Sequence, residues 1–272
     1  MSGFTKSLTV KKIFEDDFHL VEFASASQSS RGLVYTFTPI GFRNKKSPGF
    51  GVKYLTGRGF DVVSFKCITD TWYQDLPNEA LISANLSNDY ECVASYGSSM
   101  GAFASIAFSK ILGAKKVIAF GPQYVIGEDY DTRFRQKRKA INNWKHSIES
   151  KNSAGKELIL IFDPFDRRDL EHILRIRKNV DFESIREFEV PLGGHPTTQF
   201  LLETGQLTTV VDHLLDGHYD VTINRSWSRL KNSKTFFLSL SRLAEKKSLN
   251  WRFWRREGQP IWVQIAPHVK NI

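Results

Sequence analysis

From about residue 32 onward, short runs of apolar, β-branched and aromatic residues alternate with amphipathic stretches. The runs at 32–37 (GLVYTF), 61–68 (DVVSFKCI), 91–96 (ECVASY), 116–120 (KVIAF), 157–162 (ELILIF) and 185–190 read as strands. Helices are predicted between and after them, at 47–58, 77–86, 100–112, 167–178 and 196–216. Strict alternation of this kind specifies a mostly parallel sheet with crossover helices on both faces. Residues 7–24 are expected to add one or two antiparallel edge strands. A second helical pattern covers 227–248. The predicted fold class is therefore α/β, a doubly wound sheet followed by a mainly helical C-terminal extension.

Composition sharpens the division between body and extension. The 272 residues carry a net charge of +9, from 38 Lys plus Arg against 29 Asp plus Glu. Residues 221–272 hold 11 of the basic side chains and only Glu245 and Glu257 as acids, so the first 220 residues are neutral. Four of the six tryptophans, Trp227, Trp251, Trp254 and Trp262, also lie there. The expected organisation is a body over 1–220 and a basic, Trp/Arg-rich extension over 221–272. No run approaches the roughly 18–20 apolar residues needed to span a bilayer. The N-terminus lacks a secretory pattern, so the cytoplasm is the expected location. Two cysteines, Cys67 and Cys92, provide neither a disulfide framework nor a four-ligand zinc site, and both are expected to be reduced core residues.

Ligands of an open parallel sheet bind beyond the carboxyl ends of the strands. Directly after the strand at 91–96 comes Gly97-Ser98-Ser99-Met100-Gly101, a G-x-S-x-G pattern. Its logic is a sharp strand-to-helix turn that exposes the middle serine while glycines two residues away avoid collision. A nucleophilic serine needs a base, and the base needs a group to orient it. His195, in Gly193-Gly194-His195 after the last strand, is the histidine with strand-end context. The strand at 157–162 ends in Asp163-Pro164-Phe165-Asp166-Arg167-Arg168-Asp169, which offers three carboxylates. Asp166 is favoured as orienter, Asp163 being placed in the turn and Asp169 at the cap or start of the next helix.

The segments 96–101, 163–166 and 193–195 together resemble the nucleophile, acid and histidine loops of the α/β-hydrolase superfamily, over roughly residues 30–216. The resemblance implies Ser99 as nucleophile, His195 as general acid and base, and Asp166 as its partner. It also implies an oxyanion hole using the backbone N–H of Met100 and a second donor after the first parallel strand. That loop, Thr36 to Gly41, lacks the family's usual His-Gly pair, and Pro39 has no N–H, which leaves Thr38 or Ile40. The body, with the strand end Ala119-Phe120-Gly121-Pro122-Gln123, also looks similar to hydrolase-like proteins of bacterial polysaccharide loci. The expected activity is a carboxylesterase or deacylase acting on a small or carbohydrate-linked ester, with acyl transfer or a catalytically silent binding protein as alternatives.

Specificity would come from two further stretches. Trp72, Tyr73 and Gln74 follow the strand at 61–68 and either stack on a sugar ring or plug the top of the sheet. Residues 122–156 are long for a simple crossover and suggest a small lid, where Arg133 and its basic neighbours would meet an acidic substrate; a solvated crossover helix accounts for the same pattern. The extension's aromatic and basic residues would bind an anionic partner or pack back on the body. No dinucleotide fingerprint, phosphate loop or metal-ligand spacing is present, so neither cofactor nor metal is expected.

Overall fold

The computed structural model describes residues 9–26 and 29–246. Eight strands form one sheet: β1 (Val10–Glu15), β2 (His19–Ala24), β3 (Leu33–Phe37), β4 (Asp61–Cys67), β5 (Val93–Ser98), β6 (Lys116–Phe120), β7 (Ala154–Phe162) and β8 (Asp181–Glu189), in the spatial order β1-β2-β4-β3-β5-β6-β7-β8. β1 and β2 pair antiparallel with each other, and β2 pairs antiparallel with β4. Every other pairing is parallel. The chain leaves β3 toward β4 and returns to β5 on β3's other side, so the direction of winding reverses between β3 and β5. Crevices of doubly wound sheets open at such a reversal.

All residues of β3, β4 and β5 are buried. Alternate side chains feed two cores, one on each face. Tyr35, Phe37, Val117, Ala119, Leu158 and Leu160 face one side, and Val34, Ile118, Phe120, Ile159 and Ile161 the other. This period of two is what a strand covered on both faces requires. The edge strands β1 (VKKIFE) and β8 (DFESIREFE) carry charges along their length. Charge protects an edge from pairing with another chain. It also hid the first four residues of β8, which begins at Asp181 rather than 185.

Nine helices are described: α1 (Val52–Gly57), α2 (Asn78–Ala84), α3 (Met100–Ala107), α4 (Arg135–Ala140), α5 (Arg167–Asn179), α6 (Thr197–Glu203), α7 (Leu207–Asp216), α8 (Trp227–Leu230) and α9 (Lys234–Lys246). The expected helix at 196–216 is two, because Gly205 adopts φ +66° just beyond the α6 terminus and stops it. The expected helix at 47–58 starts only at Val52. Gly51 is left-handed, and a Cβ on Gly49 would lie 1.7 Å from the Ser64 hydroxyl. Residues 122–156 contain α4 and bury Ile126, Ile141 and Ile148.

Cys67 is buried, whereas Cys92 is exposed in the turn before β5, so only the former is a core residue. Among the described residues no helix is long and apolar enough to cross a membrane. The aromatic and basic cluster at 251–256 lies outside the described residues.

Candidate active site

Ser99 sits at the hinge between β5 and α3 with φ 52° and ψ −116°, a conformation L-residues adopt only under constraint. The glycines on either side are obligatory on steric grounds. A Cβ at Gly97 would lie 2.2 Å from the Gly101 carbonyl oxygen, and one at Gly101 would lie 2.4 Å from that of Phe37. The second approach brings the end of β3 against the start of α3, so the loop after β3 lies beside the turn. Ala102 and Ala104 then allow α3 to pack closely on the sheet.

Ser99 is buried rather than exposed above the sheet, because the histidine loop covers it: its hydroxyl is 2.9 Å from His195 Nε2. The imidazole packs over Gly121, where a Cβ would stand 3.1 Å from Nδ1. His195 Nδ1 is 2.9 Å from Asp169 Oδ2. The carboxylate facing the imidazole is thus Asp169, not Asp166. Asp166 is the N-cap of α5: it accepts from the Arg168 N–H at 3.0 Å and from the Arg168 guanidinium at 2.6 and 2.9 Å. Burial opposes its ionisation, but the Arg168 bonds together with the Arg133 cation hold its carboxyl down to about 2. Asp163 does a third job. It accepts from the N–H groups of Phe165, Leu192 and Gly194 at 2.9–3.0 Å, tying the end of β7 to the histidine loop. Burial pushes its carboxyl up to about 6 despite these donors.

Arg133 lies behind the imidazole rather than in front of the serine. Its Nη2 reaches Asp169 Oδ1 at 2.6 Å and Asp131 Oδ2 at 2.7 Å, and Nε reaches Asp131 Oδ1 at 2.8 Å. Asp131 also meets His172 Nε2 at 3.0 Å, while His172 Nδ1 accepts the Tyr124 N–H at 3.2 Å. Since Nδ1 accepts, Nε2 carries the proton and donates it to Asp131. Burial of Asp169 raises its carboxyl, but the neighbouring His195 and Arg133 outweigh that and hold it below the ordinary range. Buried acids normally survive only with such partners.

Of the two oxyanion candidates after β3, Thr38 is excluded by its own bonding. Its N–H donates to the Phe65 carbonyl at 3.1 Å, and its hydroxyl pairs with Tyr73 and the Cys67 N–H. Ile40 and Met100 keep N–H groups with no partner among the described residues. Met100 opens α3, so its amide is one of the helix's unsatisfied first four.

Trp72 and Tyr73 are fully buried with positive φ and form part of the sheet's capping layer. Tyr73 bonds the Thr38 loop, and Gln74 bonds the backbone of His146 at both ends of its amide. Trp72 instead donates its indole N–H to Gln123, whose amide reaches Ser99. Asp131 carried no motif in the sequence, and Gln123 figured there only as the end of the segment after the strand at 116–120, with no role assigned. Asp169 did have a signal: with His172, Ile173 and Ile176 it forms the buried stripe of α5.

The described part of the extension supports the histidine loop. A Cβ on Gly194 would lie 2.8 Å from Ser239 Oγ and 2.9 Å from Thr235 Cγ2, so α9 rests directly on that loop. Among the described residues, one group of possible metal ligands comes together away from Ser99. His19, Cys67 and Asp75 bring their ligand atoms within 4.8 Å of one another. The imidazole there is already bonded by Asp16 at 3.1 Å and Asp75 at 3.2 Å, an arrangement that favours a proton on each ring nitrogen.

No family model matches the chain, and no curated protein matches its sequence. Solved structures do resemble it. The capsule O-acetyltransferase of Neisseria meningitidis serogroup A superposes with TM-score 0.52 at 13% identity, covering 75% of this chain and 93% of that one. The dienelactone hydrolase of Anabaena variabilis gives 0.50 at 15% identity, over 78% and 98%. A Pyrococcus furiosus esterase gives 0.50 at 14%, over 78% and 91%. The chain has an α/β-hydrolase-like fold.

Proposed function

We propose that the protein is a serine ester hydrolase, a carboxylesterase or deacylase acting on a small or carbohydrate-linked acyl ester. The observation that carries this reading is the unbroken line from Ser99 through His195 to Asp169, with both contacts at 2.9 Å. These are hydrogen-bond distances for a nucleophile, its base and the base's orienter.

In this reading Ser99 Oγ attacks the ester carbonyl while its proton passes to His195 Nε2. Asp169 accepts the Nδ1–H, which fixes the tautomer and stabilises the imidazolium. The oxyanion of the tetrahedral intermediate is received by the N–H groups of Met100 and Ile40. Preorganised donors of this kind are each worth about 3 kcal/mol of barrier. Collapse breaks the bond to the alcohol oxygen, which takes the proton from Nε2 and leaves an acyl-Ser99 ester. Water, losing a proton to Nε2, then attacks that ester; collapse breaks the bond to Ser99 Oγ, which takes the proton back from Nε2 as the carboxylic acid leaves.

Arg133 is a positioning residue in this scheme, holding Asp169 rather than touching substrate. A sugar hydroxyl in place of water would turn the same intermediate into acyl transfer, and product analysis distinguishes the two outcomes. Turnover of aryl acetates tests the assignment: Ser99→Ala abolishes it, and Ser98→Ala, whose hydroxyl pairs with Thr198 instead, retains it. Equal activity in the two variants would refute the reading.

A further inference from the structure

We infer that Gln123 is a substrate-binding residue that donates a hydrogen bond to an oxygen adjacent to the ester on the alcohol side, so that the protein selects esters of polyols or sugars over those of simple alcohols. The inference rests on the serine-esterase reading above and adds the class of leaving group.

The orientation of the Gln123 amide follows from its neighbour. Trp72 Nε1 lies 3.1 Å from Gln123 Oε1. An indole nitrogen only donates, so the amide atom facing it must be the oxygen. The amide nitrogen then points elsewhere. Gln123 is fully buried, and its Nε2 has no partner among the described residues. Two N–H donors in a buried place without an acceptor are unusual in a folded protein, and their natural complement is a ligand oxygen.

The amide lies against the nucleophile, with Oε1 3.4 Å from Ser99 Oγ. That distance is at the weak limit of a hydrogen bond, against 2.9 Å for the contact with His195 Nε2. The serine proton therefore belongs to the histidine, and Gln123 does not activate the serine. What remains is a role toward the substrate.

Topology says which part of the substrate. β5 lies between β3 and β6. The oxyanion donors come from the β3 side, at Ile40, and from the start of α3. Gln123 follows β6 by way of Gly121, the residue over which the His195 ring packs. It thus occupies the histidine side, where Nε2 delivers the proton to the departing alcohol. A donor there meets an oxygen carried by that alcohol.

The matched probes are cyclohexyl acetate and the cis and trans monoacetates of cyclohexane-1,2-diol, which differ only in the neighbouring oxygen. Wild type is expected to favour a diol monoacetate in kcat/KM by about 30-fold, the usual worth of a buried hydrogen bond that would otherwise be unmade. Gln123→Leu should remove that preference, bringing kcat/KM for the diol monoacetates and for cyclohexyl acetate within about threefold of each other, in protein whose Ser99 is still labelled by a fluorophosphonate. Gln123→Glu, which keeps an acceptor for Trp72, should lose the preference too and guards against a folding defect in the leucine variant. Equal losses on both kinds of ester, or no preference in wild type, would overturn the inference while leaving the serine reading intact. A wild type that is neither labelled nor active would instead strike down the serine reading and this inference with it.

Discussion

Asp169 lies three positions beyond Asp166, a little less than one helical turn, and that offset sends the two carboxylates in different directions. Asp166 stands outside the helix and folds back onto its first amides, as N-cap residues do. Asp169 stands inside the first turn on the stripe that faces the core. Asp169→Asn is accordingly expected to lower kcat by about a thousandfold or more, because the imidazole loses the acceptor that sets its tautomer. Asp166→Ala should cost about 1 kcal/mol of stability and little activity; a thousandfold loss in the latter would reverse the assignment. Arg133 supports the same carboxylate. Its cation helps hold the Asp169 carboxyl below the ordinary range, and its Nη2 bonds both Asp169 and Asp131. Arg133→Met should therefore lower kcat on aryl acetates by about tenfold while changing KM little, because the imidazole's acceptor is less firmly placed; an unaltered kcat would mean that Arg133 does not position the carboxylate. At this scale the sequence marked Ser99 and His195 through their glycines, which are steric necessities. The carboxylate was ambiguous because a turn with three aspartates does not say which one caps and which one faces inward. Thr38 was equally ambiguous until its N–H was seen to be consumed by β4.

The elements were more legible than the side chains that decorate them. Strands buried on both faces write themselves as apolar runs, and β3 to β7 fell where those runs lie, within a few residues at their ends. Helix limits were lost where a glycine with positive φ interrupted a continuous amphipathic pattern, as at Gly205. The arrangement of α9 could not be read at all, because amphipathicity shows that one face is buried but not what it meets. Its start is fixed to the end of α6 through Glu203, which accepts from the Ser233 hydroxyl at 2.7 Å and from the N–H and hydroxyl of Thr235 at 3.0 and 3.1 Å. Burial raises the Glu203 carboxyl, but Gln199, Ser233 and Thr235 together bring it below its ordinary value. A depressed carboxyl contributes stability above the unfolded-state pKa that fades as the pH falls through the folded-state value. Glu203→Ala is therefore expected to cost about 1 kcal/mol at pH 7, with the deficit shrinking below pH 4 in urea titrations. Since α9 rests on Gly194, the same change should also slow ester turnover; a variant with unaltered stability and activity would show that α9 does not brace the histidine loop.

Across the whole molecule, charge and structure divide the chain differently. The excess positive charge begins at residue 221, yet the chain from there to 246 is built into the body. Arg225 donates to the Pro191 carbonyl at 2.5 Å, and Arg229 to that of Thr204 at 2.6 Å. Leu230 and Phe236 belong to the core on the α6 and α7 face. Those two arginines are half-buried and bonded within the fold, whereas Lys231, Lys234 and Arg242 are exposed. The winding reversal between β3 and β5 lies beside the buried Ser99, and the segments after β6, β7 and β8 then supply Gln123, Asp169 and His195 in order. The central claim is that His195 and Asp169 make Ser99 an activated nucleophile. The most direct test is the intact mass of the folded protein after treatment with a fluorophosphonate, for wild type and Ser99→Ala side by side. A single adduct on wild type and none on the variant is the expected result. An unmodified wild type, or equal modification of both, would contradict it.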